Sequence, residues 1–343
     1  MKNINFFYLV LILLCLNLIG PSFTIAGKTT ADITASPDTI TFIHITDPHV
    51  CNLTGYHPSF VQKRQHFSKT NEAFVHFLKS VTRSYQADFV ISTGDNIDYY
   101  EAETGEGGML DTQVEQFTRL LDFSEVPVYL TLGNHDITSF SINFDSSIKH
   151  NQFNAERARA AWIRNASCFK NGSYYSRVVN IDTTSFRLIF LDNGYYSTED
   201  VNAGLPQFII DQSQLLWLDA QLNASISDIE IIFMHMPVPY GQSPDNSILT
   251  EPMKKYSSKI RYYNLLSVLE KNSSICLIFA GHKHLNKINN YILPNGNKLT
   301  QIMTGAFGID SNNWRRIQLT NDKVIISYPG NSKTEFLITI GNR

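Results

Sequence analysis

Five short apolar runs in this chain break off in the same way. "ITFIHIT" (40–46) is followed by Asp47, Pro48 and His49, "DFVIST" (88–93) by Gly94, Asp95, Asn96, Ile97 and Asp98, and "VPVYLTL" (126–132) by Gly133, Asn134, His135 and Asp136. "EIIFM" (230–234) gives way to His235, and "ICLIFA" (275–280) to Gly281, His282, Lys283 and His284. Runs rich in β-branched and aromatic residues, with no polar alternation, are the pattern of strands buried on both faces. Helical spacing in 69–85, 112–123, 213–224 and near 258–271 separates them, which is the βαβ rhythm of a mostly parallel α/β sheet. The carboxyl ends of such strands open onto one crevice, where ligands bind.

Each exit taken alone is also a good turn sequence, since Gly-Asp-Asn and Gly-Asn-His suit tight turns. Five of them on one edge crowd carboxylates, imidazoles and an amide together, and that crowding needs a cause. With no thiolate among the candidates, the donor set suits Mn, Fe or Zn better than a structural zinc cage. A carboxylate shared between two divalent ions would have to sit centrally, and Asp95 is the natural bridge.

The remaining sequence bounds the rest. From about 137 to 184 the rhythm stops in an insertion holding "NAERARAAWIRN" as a helix and a hairpin up to 193, and from 297 onward alternating residues predict antiparallel strands. Residues 1–26 pair Lys2 with an apolar stretch and a "TIA" cleavage site, the pattern of a secretory signal peptide, with 27–39 as an exported spacer. The apolar stretch is short for a bilayer span of about 20 residues, so no stable membrane span is expected after cleavage. Export predicts a secreted, extracellular or periplasmic protein. A net charge of -3 offers no basic stripe for a nucleic acid polymer. With Cys276 inside an apolar strand, Cys51 and Cys168 are the one plausible disulfide. His44, His66 and His76 read as packed or surface histidines.

The ordered set D-x-H, GD-x-x-D, GNHD, a lone His after an apolar strand and GH-x-H resembles the calcineurin-like metallophosphoesterases, closest to their cyclic-nucleotide-phosphodiesterase-like branch. The resemblance runs over most of 40–310 and implies a four-layer α/β/β/α sandwich across 40–343, with the antiparallel tail strands in its second sheet. It implies that Asp47, His49, Asp95 and His284 bind one divalent metal and Asp95, Asn134, His235 and His282 a second. His135 is then the unligated imidazole beside the phosphate, with Asp136 as its orienting partner. The implied function is an exported hydrolase of a small-molecule or lipid phosphodiester, with a metal-bound hydroxide as nucleophile. A phosphomonoesterase of acid phosphatase or nucleotidase type is the alternative, and a non-catalytic binding protein on the same fold a more distant one. Two departures narrow the choice: purple acid phosphatases carry Tyr where Asp98 stands and lack the His of D-x-H, and phosphoprotein phosphatases usually carry Arg where Tyr99 stands.

Overall fold

The computed structural model describes residues 38–196, 208–225, 228–238 and 275–340 apart from 294, 295 and 297, with Leu265, Val268, Leu269 and Lys271 in addition. The expected signal peptide, almost all of the spacer and most of the helix expected near 258–271 lie outside the described residues.

The chain enters the sheets through β1 (Thr39–Ile45), β2 (Phe89–Thr93) and β3 (Val128–Thr131). There follow β4 (Tyr175–Ile181), β5 (Thr184–Phe190), β6 (Ile229–Phe233), β7 (Ile275–Ala280), β8 (Lys287–Ile292) and β9 (Lys298–Met303), and then β10 (Trp314–Thr320), β11 (Lys323–Ser327) and β12 (Thr334–Thr339). They form two six-stranded sheets, β12-β11-β10-β1-β2-β3 and β8-β9-β7-β6-β5-β4. The five apolar runs are thus divided: β1, β2 and β3 lie parallel in one sheet, β6 and β7 parallel in the other.

Both faces of each sheet are covered, which is why the strands read as unbroken apolar runs. Between the sheets lies an aromatic layer. Phe42 of β1 meets Phe233 of β6 and Phe279 of β7 edge-on, at ring-centroid separations of 5.9 and 6.2 Å, and Tyr129 of β3 lies 5.9 Å from Phe190 of β5. The outer face of the first sheet, including Ile43, Val90 and Leu130, packs under α2 (Thr70–Ser84), α3 (Gln113–Leu120) and α4 (Ala155–Asn165) through Phe74, Phe77, Phe117 and Trp162. A shorter helix, α1 (Pro58–Arg64), precedes them and begins on proline, whose missing N–H is no loss there. Opposite, α5 (Gln212–Ala224) lays Leu215, Leu218 and Leu222 on Ile189, Ile232 and Ile278 of the second sheet. Asp211 caps α5, its carboxylate accepting from the Gln214 N–H at 2.9 Å. The layers are therefore helix, sheet, sheet, helix.

Three expectations change. The tail strands do not all join the second sheet: β9 enters it parallel to β7, whereas β10 pairs antiparallel with β1 from Thr39↔Thr320 to Ile45↔Trp314 and extends the first sheet. An interior strand such as β1 has two edges to fill, and β2 fills only one. Cys51 and Cys168 are free thiols in separate clusters, Cys51 with Tyr56 and Phe60, Cys168 against the α4 core near Trp162, so each buries its sulfur by packing. The side chain of Cys276 lies outside those described. The insertion also holds more than a helix and a hairpin, because its strands Ser139–Ile142 and Ile148–Asn151 join Glu101–Glu103 and Met109–Leu110, which lie between β2 and α3, in a small four-stranded sheet.

Candidate metal centre

Asp47 and His49 follow β1, Asp95 follows β2, Asn134 follows β3, His235 follows β6, and His282 and His284 follow β7. All seven converge. Asp47, His49 and His284 form one group of donors and Asp95, His235 and His282 another, the donor atoms within each lying inside 4.8 Å of one another. In the first, His284 Nε2 is 3.1 Å from Asp47 Oδ1 and 3.3 Å from His49 Nε2. In the second, His235 Nε2 is 3.2 Å from Asp95 Oδ2, and Asn134 Oδ1 is 3.2 Å from His235 Nε2 and 3.0 Å from His282 Nδ1. Asp95 Oδ2 also lies 3.9 Å from His49 Nε2, between the two groups.

The glycines in the motifs answer to crowding. A Cβ on Gly133 would fall 2.3 Å from the Asp95 backbone nitrogen, and one on Gly281 1.8 Å from Thr46 Oγ1. Loops leaving different strands press on one another here, backbone on backbone at Gly133 and backbone on side chain at Gly281, and only hydrogen fits between them. Strain gathers at the same place. Of eight non-glycine residues with positive φ among those described, five are Asp47, His49, Asp95, His282 and His284, with φ from 45° to 66°. Left-handed backbone costs about 1 kcal/mol or more at each such residue and is held where the surroundings fix it.

Hydrogen bonds set which ring nitrogen faces inward. His235 Nδ1–H donates to the Thr93 carbonyl at 2.8 Å, which leaves Nε2 for the cluster. His49 Nδ1 lies 3.2 Å from Asp98 Oδ1, so its Nε2 also points inward. Asp98 is itself gripped by Arg64 through Nε, at 2.6 Å, and through Nη2. Burial disfavours the Asp98 carboxylate, but His49 and Arg64 hold it down to about 2. Asp47 accepts from Thr46 Oγ1 at 2.6 Å and from the His282 N–H at 3.0 Å.

Buried carboxylates without lysine or arginine beside them call for a cation. Burial lowers the proton affinity of His235, yet the charge of Asp95, its bond to Asp95 and the charge of Asp47 lift the imidazole to about 9. His282 moves the other way, to about 3, through burial and then the positive field of His235. Oxygen and imidazole donors, one carboxylate placed between two groups, and inward lone pairs fit divalent ions.

His135 stands at the rim, its backbone N–H on Asp95 Oδ1 at 2.8 Å and its Nδ1 on the Asp98 carbonyl at 2.7 Å. That carbonyl, rather than Asp136, orients the ring. Asp136 accepts from the Gly133 N–H, the Ile97 N–H and Asn96 Nδ2 at 2.7 to 3.0 Å, and so clamps the GNHD turn to the loop after β2. The Asp98–Arg64 pair is absent from the sequence reading: Asp98 stands in GD-x-x-D, but its partner lies 34 positions earlier on α1. Asn193 likewise escaped it, although its Oδ1 accepts from the His235 and Met236 N–H groups at 3.0 and 3.1 Å. His44 is buried between Thr93 and Thr304, and His66 and His76 are exposed, none of them in the cluster.

Two face-to-face sheets under helices, with metal donors from both at one shared edge, define a four-layer metal-binding α/β/β/α protein. The chain belongs to the calcineurin-like phosphoesterase family, which matches residues 40–286. Among curated relatives it is 25% identical over 229 residues to the manganese-dependent ADP-ribose/CDP-alcohol diphosphatase of Homo sapiens, covering 57% of this chain and 62% of that one. It is 25% identical to sphingomyelin phosphodiesterase 1 of Caenorhabditis elegans (61% of this chain, 36% of that one) and 24% identical to the cyclic GMP-AMP phosphodiesterase SMPDL3A of Homo sapiens (59% and 44%). The matches thus span less than two thirds of each relative's length. Among solved structures, a dimetal phosphatase from Danio rerio aligns with TM-score 0.55 and 16% identity over 89% of this chain and 100% of that one. A purple acid phosphatase from yellow lupin, Lupinus luteus, aligns with TM-score 0.51 and 12% identity over 89% and 54%. At these identities the likeness is one of fold.

Proposed function

We propose that this protein is an exported, metal-dependent phosphoric ester hydrolase that cleaves a phosphodiester of a small molecule or lipid. The observation that carries the reading is Asp95 Oδ2, set between the Asp47, His49, His284 group and the His235, His282 group. Asp47, His49, Asp95 and His284 would hold one divalent ion and Asp95, Asn134, His235 and His282 a second, with Mn, Fe and Zn suited to the donors. Such ions, when bound, activate water and neutralise charge on a phosphoester. The chain's own residues do the rest. Asn134 and the imidazoles fix the donor geometry, and His135 handles the leaving group. Because Nδ1–H donates to the Asp98 carbonyl, proton traffic at His135 is confined to Nε2, which carries a proton for the departing oxygen only when the ring is the imidazolium; burial disfavours that form and the charges of Asp95 and Asp98 favour it. The diester is favoured by relatives named as a diphosphatase and two phosphodiesterases. Export rests on the leader-like sequence of residues 1–26.

The test compares bis-p-nitrophenyl phosphate with p-nitrophenyl phosphate on the metal-loaded protein. Faster turnover of the diester is expected, and preference for the monoester would move the protein to the phosphatases. Asp95→Asn should lose bound metal and activity together. His135→Gln should lower kcat by about 10²-fold or more with metal content intact; full activity of either variant would overturn its role.

A further inference from the structure

Beside His135 a cavity of about 280 Å³ adjoins the metal donors, with Asn134 in its lining, and beyond Asn134 its chemistry differs from theirs. Phe140 and Ile148, from paired strands of the small sheet, are among its apolar lining. Lys63 and Arg64, from the last turn of α1, and His150 are its basic members, and no carboxylate is among its lining residues. The two cations are not equivalent. Arg64 is committed to Asp98 and stacks over Phe67 and Phe140, its guanidinium carbon 5.0 and 6.0 Å from the ring centroids. Lys63 is exposed and makes no ion pair among the described residues. Its charge is left for a ligand. His150 faces Phe140 across the strand pair, the rings 6.2 Å apart.

Position gives the ligand its identity. His135 lines the cavity as well as the rim of the metal centre, so a phosphoester at the centre extends one substituent past His135 into the cavity. Since His135 supplies the proton to the departing oxygen, that substituent is the leaving group. We infer that the cavity is a leaving-group subsite selecting alcohols that themselves bear an anionic group, carboxylate or phosphate, with Lys63 as the charge that recognises it and Phe140 as the surface beneath. This rests on the phosphoesterase reading. In the step, a P–O bond forms to water, the P–O bond to the alcohol breaks, the Nε2 proton of the His135 imidazolium goes to the alcohol oxygen, and the proton shed by the water passes to solvent, from which Nε2 is reprotonated.

Two symmetric diesters that differ in charge and hardly in size make the test: bis(4-carboxyphenyl) phosphate and its neutral isostere bis(4-carbamoylphenyl) phosphate. The metal-loaded wild type should prefer the carboxylate ester by about fivefold in kcat/KM, and Lys63→Glu should bring that ratio below one, since a unit charge contact near a surface is worth about that factor. An equal rate on both esters, or a ratio unmoved by Lys63→Glu, overturns the subsite. A second readout needs no turnover. Calorimetric titration of chelator-treated protein with 4-hydroxybenzoate and with phenyl phosphate should show binding that Lys63→Glu weakens at least about fivefold, the tighter of the two naming the anion. No binding, or binding indifferent to Lys63, overturns the proposal. If neither ester is hydrolysed while binding still responds to Lys63, the phosphoesterase reading falls and the anion subsite stands.

Discussion

The orientation of one ring at the metal centre depends on a residue outside the two donor groups that flank Asp95, although Asp98 lies with His49 and His135 in a third cluster of possible donors. Asp98 sets one carboxylate oxygen 3.2 Å from Nδ1 of His49 while Arg64 grips both oxygens, and the opposite ring nitrogen, Nε2, lies 3.9 Å from Asp47 and from Asp95. Carboxylate partners of this kind fix the tautomer and raise the basicity of a ligating imidazole, and losing one typically costs 10- to 100-fold in metal affinity. Asp98→Asn keeps the shape but gives up the charge and leaves Arg64 half-buried without its counter-ion. Metal titration should show a weakening of about 10- to 100-fold, confined to the ion held by Asp47, His49 and His284. Unchanged affinity would mean that packing against Phe67, whose ring stacks 4.5 Å from that of His49, is enough to hold the imidazole.

The loops at the strand exits carry a steric condition that their composition half conceals. Gly133 does not have positive φ; its hydrogen faces the Asp95 backbone nitrogen and Oδ1, each 2.3 Å from where a Cβ would stand. Gly133→Ala must therefore push the GNHD turn away from the loop after β2, which breaks the bonds of Asp136 to Ile97 and Asn96 and that of the His135 N–H to Asp95. Thermal or denaturant unfolding should register a loss of about 1–3 kcal/mol with metal binding weakened in parallel, and a variant of full stability and affinity would show that the loops can part freely. Here the sequence was legible in some respects and closed in others. The strand exits could be read because each ligand sits within four positions of an apolar run, so a local pattern marks it. Which sheet each strand joins could not, because a strand covered on both faces reads alike in either sheet. That is how β10 could leave the second sheet for the edge of β1. The small four-stranded sheet was missed for a different reason: its strands are two to four residues long, too short to show alternation. Arg64 and Asp98 were missed as a pair because their contact spans 34 positions and leaves no mark on the periodicity of α1.

At the scale of the whole molecule, the metal centre lies where the two sheets must stay in register. Asp47, His49, Asp95 and Asn134 come from strands of the first sheet, His235, His282 and His284 from strands of the second, and each donor group mixes the two. Between the sheets Phe42, Phe233 and Phe279 provide apolar contact, strong but indifferent to small slides of one sheet over the other. The strand-exit donors lack that tolerance, since a shift of an ångström would separate His284 from Asp47 and His235 from Asp95. Ions that bind the folded chain and not the unfolded one add stability as their concentration rises, about 2.7 kcal/mol at a free concentration one hundred times Kd for a single site. Divalent manganese should therefore raise the unfolding midpoint in proportion to the logarithm of its concentration, and a chelator should lower it. In His235→Asn with His282→Asn, only the increment from the Asp47, His49 and His284 group should remain. A midpoint indifferent to metal in the wild type would mean that the aromatic layer alone fixes the sheets, and that any ion binds to an edge already assembled.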